Sequence, residues 1–501
     1  MSADDRTPVL VGAGQLTQRD VDPAAAASPV AMMADVARRA ADDAGGGAAL
    51  LAAVDRLAVV NVFSWPYVNA PALLVDAVGA RPRTALYTTV GGNTPQWLVN
   101  ETAAAIAAGD CDVALLVGAE AVRSVLRGQK AGTLPSWPAG EGACTVVGDA
   151  REGVSPHEAA HGMTLPVRVY PLFENALRAA AGRSLAAHRA HVGRLCAGLA
   201  AVAAENPHAW FRDRPSADAI MTPGPTNRMI AFPYPKRACA IIEVDQAAGV
   251  LMTSAGAARR LGIPASRWVY VWGTGQAHDR WFVSERASLA TSPGIREAGR
   301  QALAAAGVDI ARIEHLDLYS CFPSAVQLAC DALGIPDDDP RPRTLTGGLP
   351  YFGGPGNNYA MHGIAEAMAR VRARPGSLAL TTGLGWYVTK HAVGIYSAAP
   401  KPGPWTREDP TARQAAIDAV PAAELVESAA GEGTIETYTV VHDRDGTPSK
   451  GIVVGRLDDG RRFLANTPPD RALLDALEAA EGVGRRGRVR PDGAKNVFTP
   501  A

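Results

Sequence analysis

Residues 86–120, LYTTVGGNTPQWLVNETAAAIAAGDCDVALLVGAE, decide the fold. A glycine turn at Gly91 and Gly92 opens a helix that runs to Gly109, and the apolar strand VALLVG follows and closes on Gly118 and Ala119. Such a βα turn leaves backbone N–H groups unpaired at a helix start, where an anion, a carbonyl oxygen or a catalytic side chain feels the positive end of the dipole. A similar order of glycine, Asn, helix, apolar strand and glycine-rich exit returns at 353–386, GGPGNNYAMHGIAEAMARVRARPGSLALTTGLGW. The repetition suggests a duplicated unit.

Working outward, PVLVGAG at 8–14 reads as a buried strand with a glycine-rich exit, and 28–45 as a helix capped by Ser28 with Pro29 at its first position. The run 51–66 gives another apolar strand, and 142–150 a further one. Strands that read as near-continuous apolar runs between helices indicate an α/β sheet covered on both faces. Residues 157–207 are mostly helical, with Pro166 and Pro171 as breaks, and the stretch to Lys236 is rich in Pro, Asn and aromatics. A helical insertion of this kind, about 151–236, shapes a pocket wall or lid, and substrate selectivity is expected there. A second set follows: strands at 268–275, 315–322, 377–383 and 390–398, with helices at 293–306 and 323–334. The expected units are therefore 1–265 including the insertion, 266–400, and an additional 401–501. In the last, short strands with hairpin signals and the helix DRALLDALEA predict a small β-rich module, a small barrel that could be OB-like.

Charge excludes some partners. The chain has 501 residues, 47% hydrophobic and 20% charged, and its 49 basic against 50 acidic residues give no drive toward nucleic acid or an anionic membrane. Six cysteines without metal-site spacing read as buried free thiols in a reducing cell, and no metal is expected. Asp443 and Asp445 read as hairpin charges. No export signal and no membrane-spanning run is expected, so the cytoplasm is the default.

The order of VLVGAGQ, the 86–120 stretch, AAHG, YPKRACAIIEVDQAAGVLMTS, LDLYSCF, GGPG and TTGLG resembles the thiolase superfamily, particularly its sterol-carrier-protein thiolase branch and thiolase-like relatives with a C-terminal extension. The resemblance covers about residues 7–400. It implies a duplicated thiolase fold, a five-layer αβαβα sandwich, with an acyl-CoA pocket served by the glycine loops of both halves. It also implies a coenzyme A thioester as ligand with no permanently bound cofactor, a homodimer or heteromeric partner, and names such as acetyl-CoA acetyltransferase within lipid metabolism.

The reactive positions depart from that family. Its nucleophilic cysteine falls on Gly92, the histidine of its Gly-His-Pro motif on Gly354, its Cys-x-Gly motif on Thr381-Thr382-Gly383, and its Asn-Glu-Ala-Phe or His-Asp-Cys-Phe motif on Tyr319-Ser320-Cys321-Phe322. Glycine has neither nucleophile nor ionisable group, and threonine supplies no thiolate near neutral pH. The expected function is thus recognition of acyl-CoA or a related acyl thioester without Cys-His-Cys chemistry. An acyl-transfer enzyme with a non-standard site is the alternative, and a partner-binding scaffold is another, favoured if Trp97, Trp386 or Tyr387 fills the cleft.

The candidate catalytic residues are Tyr319, as a phenol donor, His391, the nearest base, and Asn93, as a carbonyl ligand or a plain helix cap. Gly91, Gly92, His161, Gly353, Gly354 and Gly383 are the candidates for a CoA or acyl pocket, with Tyr170 beside His161. Strand alternation could bury one of Lys390 and His391 and solvate the other. His362 reads as a packing residue and Cys321 as a core thiol.

Overall fold

The computed structural model describes residues 4–501. A ten-stranded sheet runs through the first four hundred residues. In its first half, Pro8–Thr17 pairs antiparallel with Asp245–Ser254, which pairs antiparallel with Val113–Ala121. Arg56–Val59, Thr84–Thr88 and Thr145–Val147 then continue outward in parallel. In its second half, Val269–His278, Lys390–Ser397 and Ala379–Gly385 are antiparallel neighbours, and His315–Asp317 adds a parallel edge. Two residue pairs, Val9 with Tyr270 and Leu10 with Val269, join the halves.

The helices make the layers. Pro29–Asp43 covers the outer face of the first half, and Pro293–Ala306 with Pro323–Leu333 covers that of the second. Thr94–Ala108 and Tyr359–Ala373 each pack on strands of both halves, so they form a shared middle layer and complete the expected αβαβα order. A group of polar side chains buried in that layer is paired, as burial favours. Gln96 Oε1 accepts from the hydroxyls of Thr381 and Tyr396, Gln96 Nε2 donates to Asn100 Oδ1, and Asn100 Nδ2 donates to the Gly275 carbonyl. A first-half helix is thereby hydrogen-bonded to the second-half sheet.

The duplication has a packing signature. A Cβ added at Gly12 or Gly14 would collide with the carbonyls of Ala40 or Val36, and one at Gly273 or Gly275 with those of Ala302 or Ala298. In both halves a Gly-x-Gly pair in the central strand lets the outer helix lie directly on the sheet.

Several elements differ from their sequence reading. The strand expected over 315–322 stops at Asp317, because Leu318 N–H bonds to the Arg343 carbonyl and Tyr319 N–H to Thr382 Oγ1. Within 51–66 the strand is Arg56–Val59, preceded by the short helix Gly47–Ala52. Pro166 opens a helix, but Pro171 breaks none: it lies buried inside the continuous Pro166–Ala180 helix, where tertiary packing outweighs one lost backbone bond.

The terminal module is a closed barrel. Its strands are Gly431–His442, Pro448–Leu457, Arg462–Asn466, Arg486–Asp492 and Lys495–Pro500, numbered here first to fifth. They follow the order 1-2-3-5-4 and close from fourth back to first. The third and fifth are parallel, and helix Arg471–Ala479 lies between the third and fourth. That is the five-stranded Greek-key arrangement of an OB barrel. Tyr438, Val453, Phe463, Leu477 and Phe498 fill it.

The helical insertion does more than form a lid: it seats the barrel. Its strand Met229–Ala231 adds to the first barrel strand at Val441, Asn175 Nδ2 donates to the Tyr438 carbonyl, and Thr437 Oγ1 donates to that of Leu172. Buried Arg178 pairs bidentately with Glu481, and fully buried Arg462 binds Glu436 and the carbonyls of Ser284 and Arg286.

Candidate functional site

The two glycine loops meet at the centre of the sandwich, and one donor of each is occupied. Gly91 N–H donates to Asn357 Oδ1 at 2.8 Å, and Gly354 N–H to the Ile241 carbonyl at 2.7 Å. At Gly92, where the resemblance puts a nucleophile, an added Cβ would overlap the Tyr319 hydroxyl and lie 2.6 Å from the Leu384 carbonyl oxygen. The phenol has taken the space of the absent side chain. Gly353 has φ +107° and packs on Gln246, and a Cβ on Gly383 would lie 2.9 Å from Asn93 Cα.

Tyr319 and His391 come together, lining one cavity of about 10 Å³ with Ile295, Thr382 and Leu384. That volume holds about one water-sized probe and no thioester. Burial, then the neighbouring Cys321 and Tyr359, pushes the Tyr319 phenol well above its usual pKa. His391 is held by the second half's own residues: its Nε2 lies 2.9 Å from Asp279 Oδ2 and 3.2 Å from the Val388 carbonyl. Asp279 also accepts from Ser292 and from Gly294 N–H, so the histidine is tied to the start of the Pro293–Ala306 helix. Burial pushes the Cys321 thiol up to about 12, despite its hydrogen bond with Tyr170. His362 is fully buried and faces Gln15 Oε1, a packing position.

Asn93 is not a side-chain cap. Its carbonyl begins the helix, while its Oδ1 is buried with no hydrogen-bond partner, wedged where a Cβ on Gly91 or Gly385 would be. Beside it is Lys390, a residue that strand alternation does not single out, because this strand is covered on both faces and buries Lys390 and His391 alike. Its amine donates to the Val90 carbonyl at 2.6 Å. Desolvation, with Asp149 opposing and Arg151 assisting, brings its pKa down to about 8. A roof covers this amine: Arg151 lies 3.7 Å from the centre of the Trp281 ring, and Trp281 Nε1 donates to the Glu152 carbonyl. The one amine that titrates near neutrality at the old centre therefore sits with an unpaired amide oxygen, under a short loop.

The three aromatics named from the sequence do not gather in one place. Trp386 packs against Gly153 with φ +55°, and Tyr387 donates to the Thr164 carbonyl, while Trp97 packs instead on the middle layer. Tyr170 stacks on Phe322, centroids 4.5 Å apart, and donates to the Trp386 carbonyl.

His161 is not brought to the glycine loops. It lies in the seam with the barrel, Nδ1 on the His157 carbonyl and Nε2 accepting from Asn496 N–H, and burial lowers its pKa to about 4. Asp443 and Asp445 sit in a hairpin turn. A larger cavity, about 1250 Å³, opens elsewhere, between the Leu185–Glu205 helix and the 337–343 loop, over Leu199, Val326 and Cys330. Among the described residues no group of His, Cys, Asp and Glu is placed to hold a metal ion, and no helix is long and apolar enough to cross a membrane.

Residues 413–494 match the family model of the thiolase-like protein type 1 additional C-terminal domain. Among solved structures, the chain resembles a monomeric SCP2-thiolase-like protein type 1 from Mycobacterium smegmatis, at 37% identity and a TM-score of 0.86, over 99% of this chain and 100% of that one. The Ltp2-ChsH2(DUF35) aldolase shares the fold at 19% identity and a TM-score of 0.58, over 79% of this chain and 99% of that one. An acetyl-CoA acetyltransferase from Syntrophomonas wolfei does so at 13% identity and 0.55, over 78% and 99%. A search of curated proteins finds no match. The chain belongs to the thiolase-like protein type 1 family, with a thiolase-like fold, the additional C-terminal domain, and no ordinary thiolase cysteine chemistry.

Proposed function

We propose that this protein recognises acyl-CoA or a related acyl thioester without cleaving it by cysteine chemistry. The likeness to the thiolase-like relative supports recognition, and the observation that carries the absence of cysteine chemistry is the Gly92–Tyr319 packing: the place where the resemblance puts a nucleophile is filled by a buried phenol. Nucleophilic catalysis needs an activated atom within reach of the carbonyl, and Cys321, its thiol pKa raised by burial, does not supply one.

In this reading residues 1–265 and 266–400 act as one ligand-recognising body, with 401–501 as a module that bears on partners or on access. The likeness to a relative described as monomeric supports a monomer in place of the dimer that the thiolase resemblance implies. A cytoplasmic place and a role in lipid metabolism follow from the same reading. An acyl transferase with a non-standard site is the second reading, and the buried pair Lys390 and Asn93 is what favours it.

Titration with acetyl-, octanoyl- and 3-ketoacyl-CoA, following binding by calorimetry and thiol release separately, tests both. Saturable binding with thiol release at the buffer rate supports recognition. Turnover lost in Lys390→Met, with binding intact, supports the second reading, and no binding at all removes both.

A further inference from the structure

A cavity of about 340 Å³ opens on the barrel, on the side that faces the helical insertion. Lys450, Arg490 and Lys495 line it, on the second, fourth and fifth barrel strands, together with Asp492, Ser449, Asn466 and Thr467. Arg168, at the start of the Pro166–Ala180 helix, adds a fourth cation from the other side of the seam: both its guanidinium and the Lys450 amine approach the space beside Gly162. Several other arginines of this barrel are matched with acids, as Arg456 and Arg462 are with Glu436, Arg461 with Asp459 and Arg486 with Asp458. Among the described residues, Lys450, Arg490, Lys495 and Arg168 form no ion pair, and Asp492 is the one acid that lines the cavity.

Four cations gathered from three strands and a helix against the single acid Asp492 leave an excess of positive charge that raises the free energy of the ligand-free protein, and an anion between them lowers it. The strain is visible at Lys450, where desolvation and then the repulsion of Arg168 and Lys495 lower the pKa. The polar wall is already committed inward: Asn466 Nδ2 donates to the His161 and Gly451 carbonyls, and Thr467 Oγ1 accepts from Gly451 N–H. The free donors facing the cavity are therefore the cationic groups and the Thr467 hydroxyl, a set that suits an anion of high charge density.

We propose that this cavity binds the phosphate or diphosphate group of a small molecule, with Lys450, Arg490 and Lys495 as its ligands. The site is independent of the acyl-thioester reading, since it needs no acyl group. Its chemistry is met equally by coenzyme A, by a nucleoside diphosphate and by a free polyphosphate.

Calorimetric titration of the full chain with inorganic pyrophosphate, ADP and coenzyme A tests it, against Lys450→Met/Lys495→Met and with Arg490→Gln as a second variant. The wild type should bind at least one of the three, with affinity falling as salt rises, and whichever binds tightest identifies the source. The double variant should lose at least tenfold in affinity and Arg490→Gln several-fold. Because the lysines repel, the ligand-free double variant should melt no lower than wild type, which separates lost binding from lost folding. No binding of any probe, or binding unchanged in both variants, overturns the proposal. Octanoyl-CoA bound equally by wild type and double variant, with no pyrophosphate bound by either, would leave the acyl-thioester reading standing and remove this site, whereas pyrophosphate binding lost in the double variant, without acyl-CoA specificity, would do the reverse.

Discussion

The hydroxyl of Tyr319 stands where a side chain on residue 92 would begin, so Gly92 and Tyr319 exclude one another's larger or alternative forms. Gly92→Ala is expected to destabilise the protein by about 1–3 kcal/mol, the usual cost of overpacking a filled core. Tyr319→Phe removes the oxygen but leaves the ring carbon and the Leu384 carbonyl close, so it should relieve part of that loss. Urea denaturation of the two single variants and the double variant should show coupling of about 0.5 kcal/mol or more. Strict additivity would mean that the two residues do not compete for this space.

Lys390 gives an alkaline signature. Its folded pKa of about 8 lies below the usual lysine value, so the folded state binds fewer protons than the unfolded state between pH 8 and the ordinary lysine range. Its contribution to stability is therefore lowest below pH 8 and grows as pH rises toward 10.5. Lys390→Met should abolish that rise. Denaturant midpoints at pH 7, 8.5 and 10 measure it, and equal slopes in both proteins would reject the buried amine.

Asp317 gives the opposite acid signature. Its Oδ1 accepts from Leu345 N–H and Thr344 Oγ1, its Oδ2 has no partner, and burial, only partly opposed by those donors, raises its pKa to about 6. A raised carboxyl stabilises fully below its unfolded pKa and loses that contribution as pH rises through the folded one. Asp317→Asn should therefore gain stability relative to wild type between pH 4 and 7, read from paired thermal melts, and a difference that is flat with pH would contradict the assignment.

Much of the fold was legible in the residues, because the central strands PVLVGAG and WVYVWGTG and the two Gly-Asn-helix turns are local patterns of apolar run and glycine. The missing nucleophile was legible too, since it is a matter of identity at Gly92. What replaced it was not: that Tyr319 fills the gap depends on a strand leaving its ladder at Asp317, a long-range event with no local signal. Gly12 and Gly14 read as a strand exit, yet they clear space for a helix that follows later in the chain. Lys390 and His391 defeated the alternation rule because this strand has helices on both sides. His161 carried the family's position but follows the barrel, a partner that local sequence does not specify.

The barrel is held by few buried charges, and Arg462 is the central one. Arg462→Met leaves the Ser284 and Arg286 carbonyls and part of the Glu436 carboxylate unmatched. A loss of about 3–5 kcal/mol is expected, as for breaking a buried pair from one side. Hydrogen exchange should show it first as lost protection in residues 431–500 and in the Met229–Ala231 strand. Exchange unchanged there would mean that the seam does not depend on this residue.

Recognition of a thioester without covalent attack is tested most directly by intact-protein mass spectrometry after incubation with a saturating 3-ketoacyl-CoA, with free thiol followed in the same sample. An unchanged protein mass and no thiol release above buffer, under conditions where calorimetry shows saturable binding, is the predicted result. An acyl adduct on any cysteine, or coenzyme A released with turnover, would contradict it.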